Sequence, residues 1–244
     1  MTIYIGCPDR MGDKAGNLVL ADFYNGLLGW RRGEAYGDFF LARSPKFRLG
    51  FNGSGWSDVR PPRWPDPDYP QQAHLDIFVP DPDEYGTRVA AQGGTLLHDG
   101  DAYRIYADPA GHPFCLYPSE TGPVVARLVY DCFSPRALAS FYEGFLGVRS
   151  RLEDSPERVV IDLADADLPN LAFQHARLRD YRHPNRDYPA QLHVDYRFTV
   201  DGDLPHFQTP AGIAAMERAS RLGAIHIPVK EVTYADPAGH PFCF

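Results

Sequence analysis

The sequence predicts an α+β protein built from two tandem units, each a pair of β-α-β-β-β modules, with four modules forming two cupped mixed sheets. Three observations carry this. "FYNGLLGWR" at 23–31 returns as "FYEGFLGVR" at 141–149, and "DYPQQAHLD" at 68–76 returns as "DYPAQLHVD" at 187–195. The decapeptide "YADPAGHPFC" at 106–115 is repeated letter for letter at 234–243. A period of about 120 residues places one unit over 1–120 and the other over 124–244, joined near "SETGP" at 119–123.

Within a unit the pattern runs twice through the same order. "TIYIGC" alternates as a strand does, and "LVLADFYNGLLGW" repeats its apolar residues every three to four positions, as on a helix face. "GDFFLAR" and "FRLGFNG" read as strands. The order then restarts with strand "AHLDIFVP", helix "PDEYGTRVAAQGG" and strands at "GTLLHDG", "YRIYADP" and "PFCLYP". The "DPAG" at 108–111 and 236–239 has Asp, Pro and Gly where a type I turn with a glycine bulge places them, which makes each a hairpin. That turn leaves the following "HPFC" unexplained.

Composition narrows the function. A net charge of −8 without a basic cluster excludes nucleic acid as the main partner. No apolar stretch reaches a membrane span, and "MTIYIGCPDR" lacks the features of a secretory leader, so a cytoplasmic protein without a membrane partner is expected. The four cysteines Cys7, Cys115, Cys132 and Cys243 have no C-x-x-C spacing, and reduced thiols are expected.

The blocks "FYNGLLGW" and "FYEGFLGV", with "YADPAGHPFCLYP" and "YADPAGHPFCF", resemble those of the vicinal oxygen chelate superfamily, which includes glyoxalase I, extradiol dioxygenases and bleomycin-resistance proteins. "PPRWPDPDYPQQAHLDI" is similar to its glyoxalase-like subset. The resemblance implies sheets curled into cups, with metal enzymes placing His or Glu at four inward positions. Carried onto this sequence, the first position falls near Thr2 and Arg127, the second at Arg48 and Asn170, the third at His74 and His193, and the fourth at Cys115 and Cys243. A guanidinium has no lone pair to give a metal. The expectation is therefore no cofactor, with a divalent metal as the alternative.

His74 with Cys115, and His193 with Cys243, are expected on neighbouring strands. Asp76 and Asp195 lie two residues further on, hence on the histidine face. A histidine so placed either donates a hydrogen bond to a ligand or serves as a general base oriented by its aspartate; a thiol beside an imidazole is either packing, a nucleophile or a soft-metal ligand. Gln72 and Gln191 offer amide contacts if the strands start that early. Trp30, Trp56 and Trp64 all lie in the first unit and give it an aromatic cup, while Arg127, Asp131, Asn170 and His175 give the second a polar one. The function expected is metal-independent binding of a small planar or carbonyl-bearing molecule by a monomer or homodimer, with a lyase or isomerase using His74 or His193 as the alternative.

Overall fold

The computed structural model describes residues 1–35, 38–52, 60, 62–66, 68–176, 189–197, 206–228 and 232–244. The first module comprises β1 (Thr2–Gly6), a small hairpin of β2 (Arg10–Met11) and β3 (Lys14–Ala15), α1 (Gly16–Leu28), β4 (Arg31–Ala35), β5 (Asp38–Ala42) and β6 (Arg48–Asn52). The second has β7 (Ala73–Val79), α2 (Pro82–Ala91), β8 (Thr95–Asp99), β9 (Arg104–Ala107) and β10 (Pro113–Pro118). The third has β11 (Val124–Cys132), α3 (Pro135–Leu146), β12 (Arg151–Asp154), β13 (Arg158–Ile161) and β14 (Asn170–His175). The fourth has β15 (Leu192–Asp195), α4 (Pro210–Arg221), β16 (Ile225–His226), β17 (Thr233–Ala235) and β18 (Pro241–Cys243). The modules are those expected; the hairpin β2–β3 was not anticipated.

Helix ends follow from local chemistry. Asp81 accepts from the Asp83 and Glu84 amides ahead of Pro82, and Thr209 accepts from Gly212 ahead of Pro210. The glycines of the two "LG" pairs, Gly29 and Gly147, take left-handed conformations (φ 64° and 74°) that end α1 and α3.

The sheets do not follow the repeat units. The outer modules, first and fourth, form one eight-stranded sheet in the order β16-β17-β18-β15-β1-β6-β5-β4, and the inner modules form the other, β12-β13-β14-β11-β7-β10-β9-β8. The seams are antiparallel, β1 on β15 and β11 on β7. An aromatic cup from unit one and a polar cup from unit two therefore do not form. Thr2 and Arg48 share a sheet with His193 and Cys243, whereas Arg127 and Asn170 share one with His74 and Cys115.

The two sheets are joined through α1 and α3. The Tyr24 ring stacks on Phe51 of the outer sheet at 5.4 Å, and its neighbour Phe23 meets Phe114 of the inner sheet edge-on at 5.9 Å. Tyr142 and Phe141 repeat this, with Phe173 of the inner sheet and Phe242 of the outer. The "FY" of each helix thus fills a single continuous core shared by both sheets.

The repeated turn completes the junction. Asp108 Oδ1 accepts from the Ala110 and His112 amides, and Gly111 (φ 92°) closes the hairpin as its sequence requires. Its Oδ2 accepts from the Tyr24 hydroxyl at 3.1 Å, and His112 Nε2 lies 2.6 Å from the Gly6 carbonyl of β1. Asp236, Tyr142 and His240 make the same set, ending on the Asp131 carbonyl of β11. The histidine of "HPFC" is therefore a link between the sheets.

Gln72 and Gln191 form a second link. Each side chain accepts from the other's backbone amide, at 2.9 and 3.1 Å, and donates to Pro189 and Pro70 respectively. The strands begin only at Ala73 and Leu192, so the glutamines lie before them, and their expected ligand contacts give way to this reciprocal clasp. Replacing Gln191 with Leu strands the buried Gln72 amide and is expected to lower unfolding free energy by about 1–3 kcal/mol. Tyr24→Phe, which leaves Asp108 its two backbone donors, should cost about 1–2 kcal/mol. Urea titration monitored by circular dichroism checks both.

Candidate functional site

Strand alternation turns one face of each sheet to the core and the other to a cup. In the inner sheet the core face of β7 carries Leu75, Ile77 and Val79, all buried in the shared core, and His74, Asp76 and Phe78 face the other way. The register then decides the neighbours. Asp76 stands opposite Arg127 on β11 and beside Cys115 on β10; His74 stands opposite Val129. The floor is apolar, a separate cluster of Val129, Val160 and Ala172.

Asp76 is fully buried and is the centre of the site. Its Oδ2 accepts from Arg127 Nε at 2.7 Å and from Arg158 Nη2 at 3.0 Å. Its Oδ1 has no hydrogen-bond partner among the described residues and lies 3.4 Å from His74 Nε2, an ion-pair separation. Burial by itself raises the carboxyl pKa, but His74, Arg127 and Arg158 more than reverse this and hold it down to about 2. For His74, burial favours the neutral ring, yet Asp76 and Cys115 outweigh it and push the pKa up to about 10.

A polar chain continues from His74 along the cup. Its Nδ1 lies 3.1 Å from Gln71 Nε2, Gln71 bonds to Asp131, and Asp131 Oδ1 accepts from Gln174 Nε2 at 2.7 Å. Burial raises the Asp131 carboxyl pKa, against the pull of His74 and the two glutamines. Arg158 Nη1 closes the circuit on Gln174 Oε1 at 3.3 Å. At the other end the Arg127 guanidinium lies over Phe78 and Tyr117, at 5.0 and 4.9 Å from the ring centres, and Tyr117 stacks on Tyr103.

The outer cup has the same scaffold with different contents. His193 Nε2 lies 3.6 Å from Asp195 Oδ1, and Cys243 Sγ lies 3.5 Å from the Thr233 hydroxyl. Opposite Asp195 stands Thr2 in place of an arginine. The Tyr4 ring stacks flat on His193 at 4.9 Å and lies across Gly50, where even a Cβ would meet the ring at 2.4 Å. Arg48 faces this cup over the Phe40 ring. The Met1 ammonium nearby has its pKa lowered to about 6 by burial and by Arg197 and Arg48.

The structure brings His74, Asp76 and Cys115 together, and His193, Asp195 and Cys243. Against expectation Arg127 and Asp131 join the first set and Arg48 the second, because the sheets pair modules across the units. Other expectations are corrected. Trp30 packs on the core side, edge-on to Phe47 at 5.4 Å, because it follows directly on the end of α1. Asn170 faces the inner cup, but its Oδ1 accepts from the Leu163 amide and so holds the approach to β14. His175 is exposed at the end of β14, its Nδ1 3.0 Å from the Phe133 carbonyl. Trp64 meets His98 of edge strand β8 at 6.4 Å, and Trp56 lies outside the described residues. Sequence reasoning missed Gln71, Arg158, Gln174 and Tyr117. The signal for Gln71 was its mismatch with Ala190, the place in this block where a polar residue stands against an apolar one.

A family model for a glyoxalase-like domain matches the chain twice, over residues 11–117 and 127–244. The chain belongs to the glyoxalase-like family. It thereby falls within the vicinal oxygen chelate superfamily. Among solved structures, this glyoxalase-like protein is similar to glyoxalase I from Zea mays, with a TM-score of 0.61 at 14% identity over 99% of this chain and 89% of that one. It is also similar to a putative dioxygenase from Bacillus subtilis subsp. subtilis str. 168, with a TM-score of 0.56 at 13% identity, covering 99% and 82%. No curated protein matches it. Identities this low speak for the fold alone. No helix among the described residues is long and apolar enough to cross a membrane.

The pKa shifts give a signed prediction. Asp76, depressed to about 2, contributes stability that is complete above its unfolded value and is lost as pH falls through 2. His74, raised to about 10, contributes stability that is complete below its unfolded value near 6.5 and is lost as pH rises through 10. Urea unfolding followed across pH should decline on both flanks, and His74→Gln should flatten the alkaline flank. An unchanged alkaline flank in that variant would refute the His74 assignment.

Proposed function

We propose that this glyoxalase-like protein binds a small carbonyl-bearing molecule in its inner cup without a metal ion, His74 donating a hydrogen bond to the ligand oxygen. The observation that carries this reading is the clamp of Arg127 and Arg158 on one oxygen of Asp76. The superfamily would place a metal ligand where Arg127 stands. His74, Asp76 and Cys115 do bring three donor atoms within 4.8 Å of one another, and so do His193, Asp195 and Cys243. The donor set nevertheless fits a divalent cation poorly. The single charge of Asp76 is already shared by two guanidiniums and His74, which leaves little to offset a divalent cation. In the outer cup Arg197, Arg48 and Asp195 all act on the Met1 ammonium, so that cations already accompany that carboxylate.

The inner cup is favoured over the outer because of its floor. Val129 and Ala172 put small apolar side chains where the outer sheet has the Tyr4 ring lying on Gly50. Gln71 Nε2 lies against His74 Nδ1, so the His74 Nε2–H is left to donate to a carbonyl oxygen, and the raised pKa disfavours a general base.

Native mass spectrometry of the protein purified without chelators tests the metal-free part. The expected masses are those of the bare chain or of the chain with an organic adduct. One divalent ion per chain, lost on Cys115→Ser, would overturn it. Binding is checked by titration with small aldehydes, ketones and 2-oxo acids, where His74→Gln should weaken affinity by about tenfold or more. Equal affinity in that variant would remove His74 from the contact.

A further inference from the structure

Arg127 has more hydrogen-bonding capacity than Asp76 consumes. Its Nε is fixed on Asp76 Oδ2 at 2.7 Å, and the plane rests on Phe78 and Tyr117. The terminal nitrogens Nη1 and Nη2 have no hydrogen-bond partner among the described residues, and the side chain is 20% exposed. Arg158 is spent differently, with its three nitrogens directed to Asp76, Gln174 and Glu153. The cup therefore presents one guanidinium held at its inner edge and open at its outer one.

We propose that the ligand of the inner cup carries a carboxylate, gripped end-on by the Arg127 Nη1 and Nη2 pair. This rests on the inner-cup binding reading and names its substrate class. Two parallel N–H donors in one plane match the two oxygens of a carboxylate and favour it over a neutral carbonyl. Charge points the same way. Among the described residues, Arg127 and Arg158 are directly paired at the centre of the cup with the single charge of Asp76; Asp131 reaches Arg158 only through Gln174, and Glu153 is an exposed rim group at 3.6 Å. A phosphate is the less suitable anion, since its three oxygens call for more donors than one fork supplies.

The test is calorimetric titration of the full chain with aromatic and aliphatic 2-oxo acids, their methyl esters and phenyl phosphate. Acids should bind about tenfold or more tighter than their esters, and tighter than phenyl phosphate. Arg127→Lys keeps a cation beside Asp76 but loses the fork. It should erase the acid preference, bringing the acid-to-ester affinity ratio to about one. Acids and esters binding equally to the unmodified protein would overturn the carboxylate inference and leave carbonyl binding standing. Phenyl phosphate binding best would overturn it in favour of a phosphate. If no acid or ester bound at millimolar concentration, both readings would fall. Should Arg127→Lys fail to fold, the acid-to-ester ratio of the unmodified protein decides alone.

Discussion

The Asp108 carboxylate is buried in the joint between two sheets and organises everything around it. One oxygen holds its own hairpin through the Ala110 and His112 amides, and the other takes the Tyr24 hydroxyl of α1. The hairpin it shapes aims His112 at the Gly6 carbonyl on the opposite sheet. Asp236 does the same in the second unit. A carboxylate out of water is tolerable only with this many donors, so turn, helix and strand must arrive together. That requirement explains why the decapeptide recurs unchanged while its surroundings have diverged.

The order of modules was legible because repeats and periodicity are local properties of the chain. "FYNGLLGWR" shows its helix face and its terminating glycine within nine residues. Which module shares a sheet with which was not legible. The β1–β15 and β11–β7 seams bring together residues far apart in sequence, and each unit has strands that satisfy either pairing. The crossing depends on Gln72 and Gln191 exchanging side chains over a separation of 119 residues. Their presence in both copies reads equally well as a binding signature, and only the starts of β7 and β15 show them to be architecture.

Differences between the copies proved more informative about the site than identities. The two cups share His, Asp and Cys at equivalent places and part company next to them. Arg127 faces Asp76 where Thr2 faces Asp195, and Gln71 stands where the other copy has Ala190. Val129 and Ala172 form a small-residue apolar floor in one, and Tyr4 lies over Gly50 in the other. Arg158 and Gln174 escaped notice because their roles arise from register across β13 and β14, which places them side by side.

The inner cluster also bears on what the cup is for. A fully buried carboxylate with two guanidiniums and an imidazole forfeits several kcal/mol of solvation per ion, and the attraction regained roughly offsets that loss. Apolar side chains of similar size would hold the sheet at least as well, as they do on the core faces of the same strands at Leu75, Ile77 and Leu128. Stability therefore does not account for four ionisable groups on one patch of the cup. Their arrangement does something apolar packing cannot. It fixes the plane of Arg127 and the orientation of His74 before any ligand arrives, so that binding need not pay again to order them. Asp76 is in this sense a positioning residue, and the donors it sets in place lie on the sheet face turned away from the core.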